Sequence, residues 1–177
     1  MAKTALISIL CPDRVGLVAA ISGRLFDLGG NLSDTTFAVL GGAAEFTSIC
    51  EFPGGADHAA VAADLGALPE LDGADIAVRP FGMASIHGPS GQITHRITVS
   101  GGDRPGLIAR LCEVFVQFKA NIVRLNAERT QGDGGDIQYA VIASVWIPEG
   151  RAPSCLATVD NTAGEMGLSC RWEKLAG

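Results

Sequence analysis

Two short runs of the chain are rich in β-branched and apolar residues, and each is followed by a section in which apolar residues recur every three or four positions. A short apolar run bounded by Pro or Gly is typical of a β-strand, and the wider spacing is typical of a helix with one buried face. The strand patterns are TALISIL at 4–10 and HRITVSG at 95–101. The helix patterns comprise Leu17, Val18, Ile21, Leu25 and Leu28 after the first run, and Leu107, Ile108, Leu111, Phe115 and Phe118 after the second.

These two sections are copies of one unit. When the chain is shifted against itself by ninety residues, six of the nineteen positions from 13 to 31 are identical without a gap. The identical pairs are Asp13 and Asp103, Arg14 and Arg104, Gly16 and Gly106, Leu17 and Leu107, Ala19 and Ala109, and Asn31 and Asn121. The apolar helix positions also keep the same phase in both copies. We therefore interpret the chain as a tandem duplication.

Each copy continues with the same series of patterns. An extended segment, a glycine-rich turn, a second extended segment, a weaker helix and a short closing strand follow one another, and the turn suits a hairpin. The segments lie at 31–42, 43–52, 57–68 and 75–81 in the first copy and at 121–132, 136–147, 153–166 and 168–175 in the second. The order β-α-β-β-α-β predicts the α+β class, with two ferredoxin-like domains whose antiparallel four-stranded sheets carry both helices on one face. We place the domains at 1–81 and 93–177, with a Gly- and Ser-rich linker at 82–92.

The repeated Asp-Arg-Xaa-Gly turn allows two interpretations. In the structural one, Asp caps the helix, Pro105 fits its first turn, and Gly16 or Gly106 adopts an unusual φ or allows close backbone approach. In the functional one, the N–H groups at the helix start donate hydrogen bonds to a carboxylate and the Asp binds an ammonium group. An Asn after the helix offers an amide that can contact either end of such a zwitterion. Asp13 with Asn31, and Asp103 with Asn121, would then form two ligand-binding corners.

Charge and composition exclude several classes of protein. The formal net charge is −6, whereas proteins that hold nucleic acid use Lys and Arg to neutralise phosphates. We therefore expect no direct binding of DNA or RNA. No run approaches the roughly 18 apolar residues of a membrane span, so we expect a cytoplasmic protein without membrane contact. The three histidines, His58, His87 and His95, lack a partner at catalytic spacing, and no phosphate loop or dinucleotide motif occurs, so we expect neither an enzyme nor a cofactor.

Five cysteines are spread along the chain without a Cys-x-x-Cys pair or a nearby His at zinc spacing. We expect reduced thiols that serve as small buried apolar groups, and no metal site. Cys11 differs from the others because it lies directly before the first turn. A ligand contact or a reactive thiol is considered for that residue alone.

The strand, the Asp-Arg-Xaa-Gly turn, the helix, the Asn and the hairpin together resemble the ACT domain, an amino-acid-sensing regulatory module. The resemblance covers almost the whole chain as two copies. The segment GGNLSDTTFAVLGGAAEFTSICEF at 29–52 is especially similar to the glycine cleavage system transcriptional repressor family, whose members consist of two ACT domains without a catalytic or DNA-binding domain.

This resemblance implies a ligand and a set of contacts. In serine-sensing ACT domains the ligand lies between the turn of one domain and the strand edge of its neighbour, and it touches a polar turn residue and the Asn after the helix. The positions that match are Cys11, Asp13, Arg14, Gly16 and Asn31 in the first copy, and Asp103, Arg104, Gly106 and Asn121 in the second. Serine sensors carry His and Asn in the turn, whereas this chain has Cys11 or Gly101 and the two Asp residues. This difference argues against serine itself and leaves glycine, another amino acid or no ligand open. We take a small, glycine-like amino acid as the expected ligand.

The resemblance also implies a protein partner. We expect the chain to form a homodimer and to regulate a transcription factor by protein–protein contact. Two alternatives stay open, namely an ACT interaction module without a ligand and a stand-alone regulatory subunit of a metabolic enzyme.

Overall fold

The computed structural model of the protein describes residues 3–84, 86–131 and 137–175, and the side chains of 130 and 131 are not considered. The chain divides into two compact units, Met1–Ser85 and Ile86–Gly177. The boundary falls within the segment 82–92. The hairpin turn predicted at 131–136 lies, beyond its first residue, outside the described residues.

Each unit contains four strands and two α-helices in the order β-α-β-β-α-β. In the first unit these are β1 (Lys3–Pro12), α1 (Leu17–Asp27), β2 (Asn31–Leu40), β3 (Ala43–Phe52), α2 (His58–Gly66) and β4 (Asp75–Pro80). In the second they are β5 (His95–Gly102), α3 (Leu107–Gln117), β6 (Asn121–Gln131), β7 (Ile137–Trp146), α4 (Ala152–Glu165) and β8 (Ser169–Lys174). Short 3₁₀ turns occupy Pro69–Leu71, Pro89–Gly91 and Glu149–Arg151. The predicted elements agree with these bounds to within a few residues.

Both sheets are antiparallel and have the same strand order, β2-β3-β1-β4 and β6-β7-β5-β8. The first strand of each unit is therefore central, between the third and the fourth. This topology is that of the ferredoxin-like fold. The predicted fold class is confirmed.

The core of each unit lies between one sheet face and its two helices. Along β1, Ala5, Ile7 and Ile9 are almost completely buried, while Leu10 on the opposite face is half exposed. Successive side chains of a strand point to opposite faces, so this alternation shows that the helices cover one face only. In the second unit, Ile97 and Val99 of β5 occupy the corresponding buried face.

A glycine in the left-handed conformation begins the first helix of each unit. Gly16, with φ 93°, precedes α1, and Gly106, with φ 84°, precedes α3. Neither helix start has a side-chain cap, so the expectation that the Asp of the turn caps the helix was wrong. The Asp lies three residues earlier because the turn itself intervenes. The positive φ accounts for the glycine, because a residue with a Cβ is strained in this backbone conformation.

The helices are short compared with those that cross a membrane. Within the described ranges, no helix is long and apolar enough to cross a membrane.

Replacement of Gly16 by Ala tests this account of the turn. We expect Gly16→Ala to lower the free energy of unfolding by about 1–2 kcal/mol, because an added Cβ strains the left-handed backbone. Gly23→Ala is the matched control, since Gly23 is an exposed residue inside α1, where Ala should raise stability by about 0.5–1 kcal/mol. Urea denaturation measures both changes. Equal effects of the two substitutions would contradict the assignment.

Candidate ligand-binding site at the second turn

The Asp and the Asn of each copy lie at opposite ends of their own domain. Asp13 follows β1, whereas Asn31 pairs with Glu51 at the level of Thr4, near the start of β1. The nine residue steps from Thr4 to Asp13 correspond to roughly 25–30 Å along a strand. The helix that connects the two positions spans the sheet from one end to the other. A corner formed by both residues within one domain is therefore excluded, and the same holds for the second copy, in which Asn121 pairs with Trp146.

A small cavity of about 180 Å³ lies at the second turn. It is lined by Asp103, Arg104, Pro105, Gly106, Leu107, Ile108, Ala109, Arg129 and Tyr139. The turn and the first residues of α3 thus form one side, and the facing strands β6 and β7 form the other. The cavity is smaller than the about 300–1,000 Å³ that is usual for drug-sized ligands, so a molecule of only a few heavy atoms would fit.

Opposite charges meet at this cavity. The Arg129 guanidinium donates to the Asp103 carboxylate with Nη2 and Oδ2 2.9 Å apart, and the two side chains are 68% and 37% exposed. The guanidinium carbon also lies 5.9 Å from the centre of the Tyr139 ring, within cation–π range. An exposed ion pair of this kind contributes little to stability. The pair does hold the Arg129 guanidinium beside the start of α3.

The start of α3 adds hydrogen-bond donors. The Leu107 amide donates to the Arg104 carbonyl at 3.3 Å, and the Arg110 amide to the Gly106 carbonyl at 3.0 Å. The amides of Ile108 and Ala109 have no intrahelical acceptor, since they belong to the first turn. Together with Arg129 they present positive charge and N–H groups to the cavity, which suits a carboxylate. Asp103 provides the negative charge that an ammonium group requires.

The first turn has different neighbours. Strand register places Val39 and Ala44 of the first sheet where the second has Arg129 and Tyr139. Arg129 is thus the residue ninety positions after Val39. Comparison of the two copies for identical residues missed Arg129 and Tyr139, because both differ from their counterparts Val39 and Ala44.

Arg14 anchors the first turn. Its guanidinium donates to the carbonyl groups of Pro69, Glu70 and Asp72 at 3.0–3.1 Å. The planar fork of Arg is thereby bound to the 3₁₀ turn before β4. Arg14 is a structural residue in this arrangement, contrary to its inclusion among the ligand contacts.

The remaining predicted residues have other environments. Nδ2 of Asn121 donates to the Ser90 carbonyl at 2.8 Å, which joins the start of β6 to the preceding 3₁₀ turn. Asn31 is exposed at the start of β2. Nothing lies within 4 Å of a Cβ built on Gly16 or Gly106, so their backbone conformation, and not close approach of another group, accounts for glycine there.

Cys11 is a core residue and does not belong to the turn's surface. Its side chain is 5% exposed, and burial, the larger effect, raises the pKa of the thiol, with Arg14 lowering and Asp13 raising it. The prediction of a reactive or ligand-contacting thiol was wrong, because the side chain points from β1 toward the helices. All five cysteines are free, and burial raises the pKa of Cys50, Cys155 and Cys170 to about 11. In the described parts of the chain no three His, Cys, Asp or Glu side chains are placed to hold a metal ion.

Comparison with known proteins supports the fold. No model of a known protein family matches the chain, and no curated protein matches it. The crystal structure of an unknown protein from Galdieria sulphuraria matches with a TM-score of 0.77 and 21% identity, over 99% of this chain and 100% of that one. A protein with the provisional name glycine cleavage system transcriptional repressor matches with a TM-score of 0.68 and 15% identity, over 100% and 99%.

The chain has the fold of a tandem ACT protein. An ACT domain protein from Streptococcus pneumoniae also aligns, at 22% identity over 45% of this chain and 91% of that one, with a TM-score of 0.41. The two matches over the whole chain, at TM-scores of 0.77 and 0.68, show the fold.

The anchoring role of Arg14 is tested by substitution. We expect Arg14→Ala to lower the free energy of unfolding by about 1 kcal/mol, since three carbonyl groups lose an exposed charged donor. Arg14→Lys should recover only part of the lost stability, because an ammonium group cannot bind all three carbonyl oxygens as the planar guanidinium does. Arg104→Ala, at the same position in the other copy, serves as the control and should lower the free energy of unfolding by less than Arg14→Ala does. A stability unchanged by Arg14→Ala would contradict the anchor.

Proposed function

We propose that the protein is an amino-acid-responsive regulator that binds a small, glycine-like amino acid at the second turn and regulates a partner protein by contact. The observation that carries the proposal is the cavity of about 180 Å³ between the start of α3 and the Asp103–Arg129 pair. The ligand's carboxylate would bind Arg129 and the free amides of α3. Its ammonium group would bind Asp103.

The arrangement suits a zwitterion because each charge of the ligand has a partner of opposite sign. Asp103 and Arg129 already contact each other at 2.9 Å, so a ligand that inserts between them exchanges one ion pair for two. The exposure of both side chains means that the exchange requires no burial of an unpaired charge. The first turn has Val39 in place of Arg129 and so lacks the arginine that would bind the ligand's carboxylate.

The size of the ligand limits its affinity. Free glycine has five heavy atoms, and a ceiling of about −1.5 kcal/mol per atom gives at most roughly −7.5 kcal/mol, a low-micromolar dissociation constant. An exposed site should bind more weakly, with a dissociation constant of about 0.1–1 mM. Such a site responds to an abundant metabolite.

Regulation follows from linkage. An amino acid that binds one arrangement of the protein better than another shifts the population that is competent for the partner, by no more than its differential affinity. We propose a homodimer. Asn31 and Asn121 are too far from the turn of their own domain, so either could approach a turn-bound ligand only from another domain, and a second copy of the chain supplies two further domains. A transcription factor is the proposed partner, and a metabolic enzyme is the alternative.

Thermal unfolding with and without amino acids tests the site. A ligand that binds only the native state raises the melting temperature, so glycine at about 10 mM should produce a shift. Asp103→Ala and Arg129→Ala should abolish it, because each removes one of the two charge partners. Asp13→Ala should leave it unchanged.

Arg96→Ala is the matched control for Arg129→Ala. Arg96 forms a surface ion pair with Glu173 at 2.8 Å in the same sheet, so its loss removes an equivalent charge away from the turn. The shift should persist in this variant. No shift with any common amino acid, or a shift that survives Arg129→Ala, would overturn the proposed site.

The partner proposal carries a separate expectation for DNA. Because the net charge is −6, we expect the protein alone to leave DNA mobility unchanged in a gel-shift assay at moderate salt. Any transcriptional effect then depends on a second protein that holds the DNA. A retarded band with this protein alone would contradict the indirect mechanism.

A further inference from the structure

A second, larger cavity lies in the second domain, at the end of the sheet opposite the turn. Its volume is about 860 Å³, and its walls come from the start of β5, the end of β7, the first half of α4 and the end of β8. This volume lies within the range of about 300–1,000 Å³ that is usual for small-molecule sites. His95 begins β5 and Asp103 follows its last residue, so the cavity lies roughly 25 Å from the turn at about 3.3 Å per residue.

Both tryptophans of the chain line this cavity. Trp146 ends β7 between the buried Val145 and Ile147, so its side chain lies on the uncovered face of the sheet. Trp172 lies in β8 opposite the buried Ile97, on the face that the helices cover. Despite this position the Trp172 side chain is 53% exposed. Its ring lies 6.4 Å from that of His95, centre to centre, with an angle of 62° between the planes. Exposed aromatic surface inside a concave wall favours an aromatic ligand, which would remove it from water.

A hydrogen bond joins His95 to Thr94 at the start of β5. The Thr94 hydroxyl accepts from the Ile147 amide at 2.9 Å and donates to the Val145 carbonyl at 3.2 Å. The same hydroxyl lies 2.9 Å from Nδ1 of His95, and which of the two groups donates depends on the tautomer of the ring. In its neutral form the imidazole has one donor and one acceptor nitrogen. Burial, and secondarily Lys174, lowers the pKa of His95, which favours this neutral form.

The charges around the cavity favour a cation. Glu149, Asp160 and Lys174 line it and leave one net negative charge. The start of α4 offers little to an anion, because the Ala152 amide already donates to the Glu149 carbonyl and Pro153 has no N–H. Indole rings also attract cations through their π faces.

The first domain shows that the fold does not require these side chains. Strand register matches four of them to residues of different chemistry in the first copy. His95, Trp146, Trp172 and Lys174 correspond to Ala5, Glu51, Val78 and Pro80. The same strand order and the same kind of core are present in both domains. The aromatic and polar lining is thus specific to the second domain.

We propose that this cavity binds a small aromatic molecule with one cationic nitrogen, of the class of aryl-alkylamines. The ring lies against the Trp172 indole and the His95 imidazole, and the nitrogen faces the carboxylates of Glu149 and Asp160. The site shares no lining residue with the cavity at the second turn. The two proposals are therefore independent.

Tryptophan fluorescence tests the proposal on the whole chain, since its only two tryptophans lie at the site. Titration with phenethylamine should give a saturable change with a dissociation constant of about 0.1–1 mM. 3-Phenylpropionate, which has a carboxylate in place of the amine, should bind at least about tenfold more weakly. Cyclohexylethylamine, which keeps the amine without the aromatic ring, should also bind more weakly.

Substitutions of lining residues separate the contribution of the carboxylates from that of the indole ring. The double change Glu149→Gln with Asp160→Asn concerns exposed side chains, so it should keep the fold and weaken phenethylamine binding by about fivefold or more. Trp172→Ala should weaken it as well, with circular dichroism to verify folding. Arg129→Ala, at the other cavity, is the control and should bind phenethylamine as the unchanged protein does.

Four results would overturn the proposal. These are no saturable change up to about 10 mM amine, equal affinity for the carboxylate, full affinity in the Glu149 and Asp160 variant, or a loss of self-association in Trp172→Ala. The last result, measured by sedimentation velocity, would show that the cavity is a contact between copies of the chain. Loss of the glycine response in Arg129→Ala leaves this test unaffected.

Discussion

Burial of one face of each central strand beneath two helices is the constraint on which the rest of the structure depends. Ala5, Ile7 and Ile9 in β1 face the helices with almost no exposed surface, and Ile97 and Val99 do the same in β5. Because side chains alternate along a strand, a shift of register by one residue would turn this apolar row toward water. The register therefore fixes which residues stand beside each turn and which side chains line the two cavities of the second domain.

The duplication preserves this constraint and changes what surrounds it. Both copies begin their first helix with a left-handed glycine, and both keep an apolar row on the central strand. Val39 in one copy and Arg129 in the other occupy the same register position, so of the two turns only the second has an arginine at this position that can bind a carboxylate. The second copy also carries an aromatic cavity at the far end of its sheet. A common scaffold with two different chemistries suits a protein whose domains divide their tasks.

The fold was predictable because the sequence contains each pattern twice. The strand and helix bounds follow from residue types and spacing, and the agreement between the copies removes ambiguities that one copy would leave. The site was less predictable, because spacing along the chain does not give distance in space. Asp13 and Asn31 are separated by a helix that crosses the whole domain, so the predicted corner was wrong. Arg14 and Cys11 were assigned to a ligand by their position in the motif, whereas one binds backbone carbonyls and the other lies in the core. Arg129 and Tyr139 could have been found by asking where the copies differ.

The central claim is that only the second turn binds a small amino acid. The most direct measurement is an amide NMR titration of the whole chain with glycine, since each turn has its own set of backbone signals. The account predicts shifts at 103–109 and at Arg129, with the signals of 13–19 unchanged. Shifts at 13–19 instead, or no shifts at either turn, would contradict it.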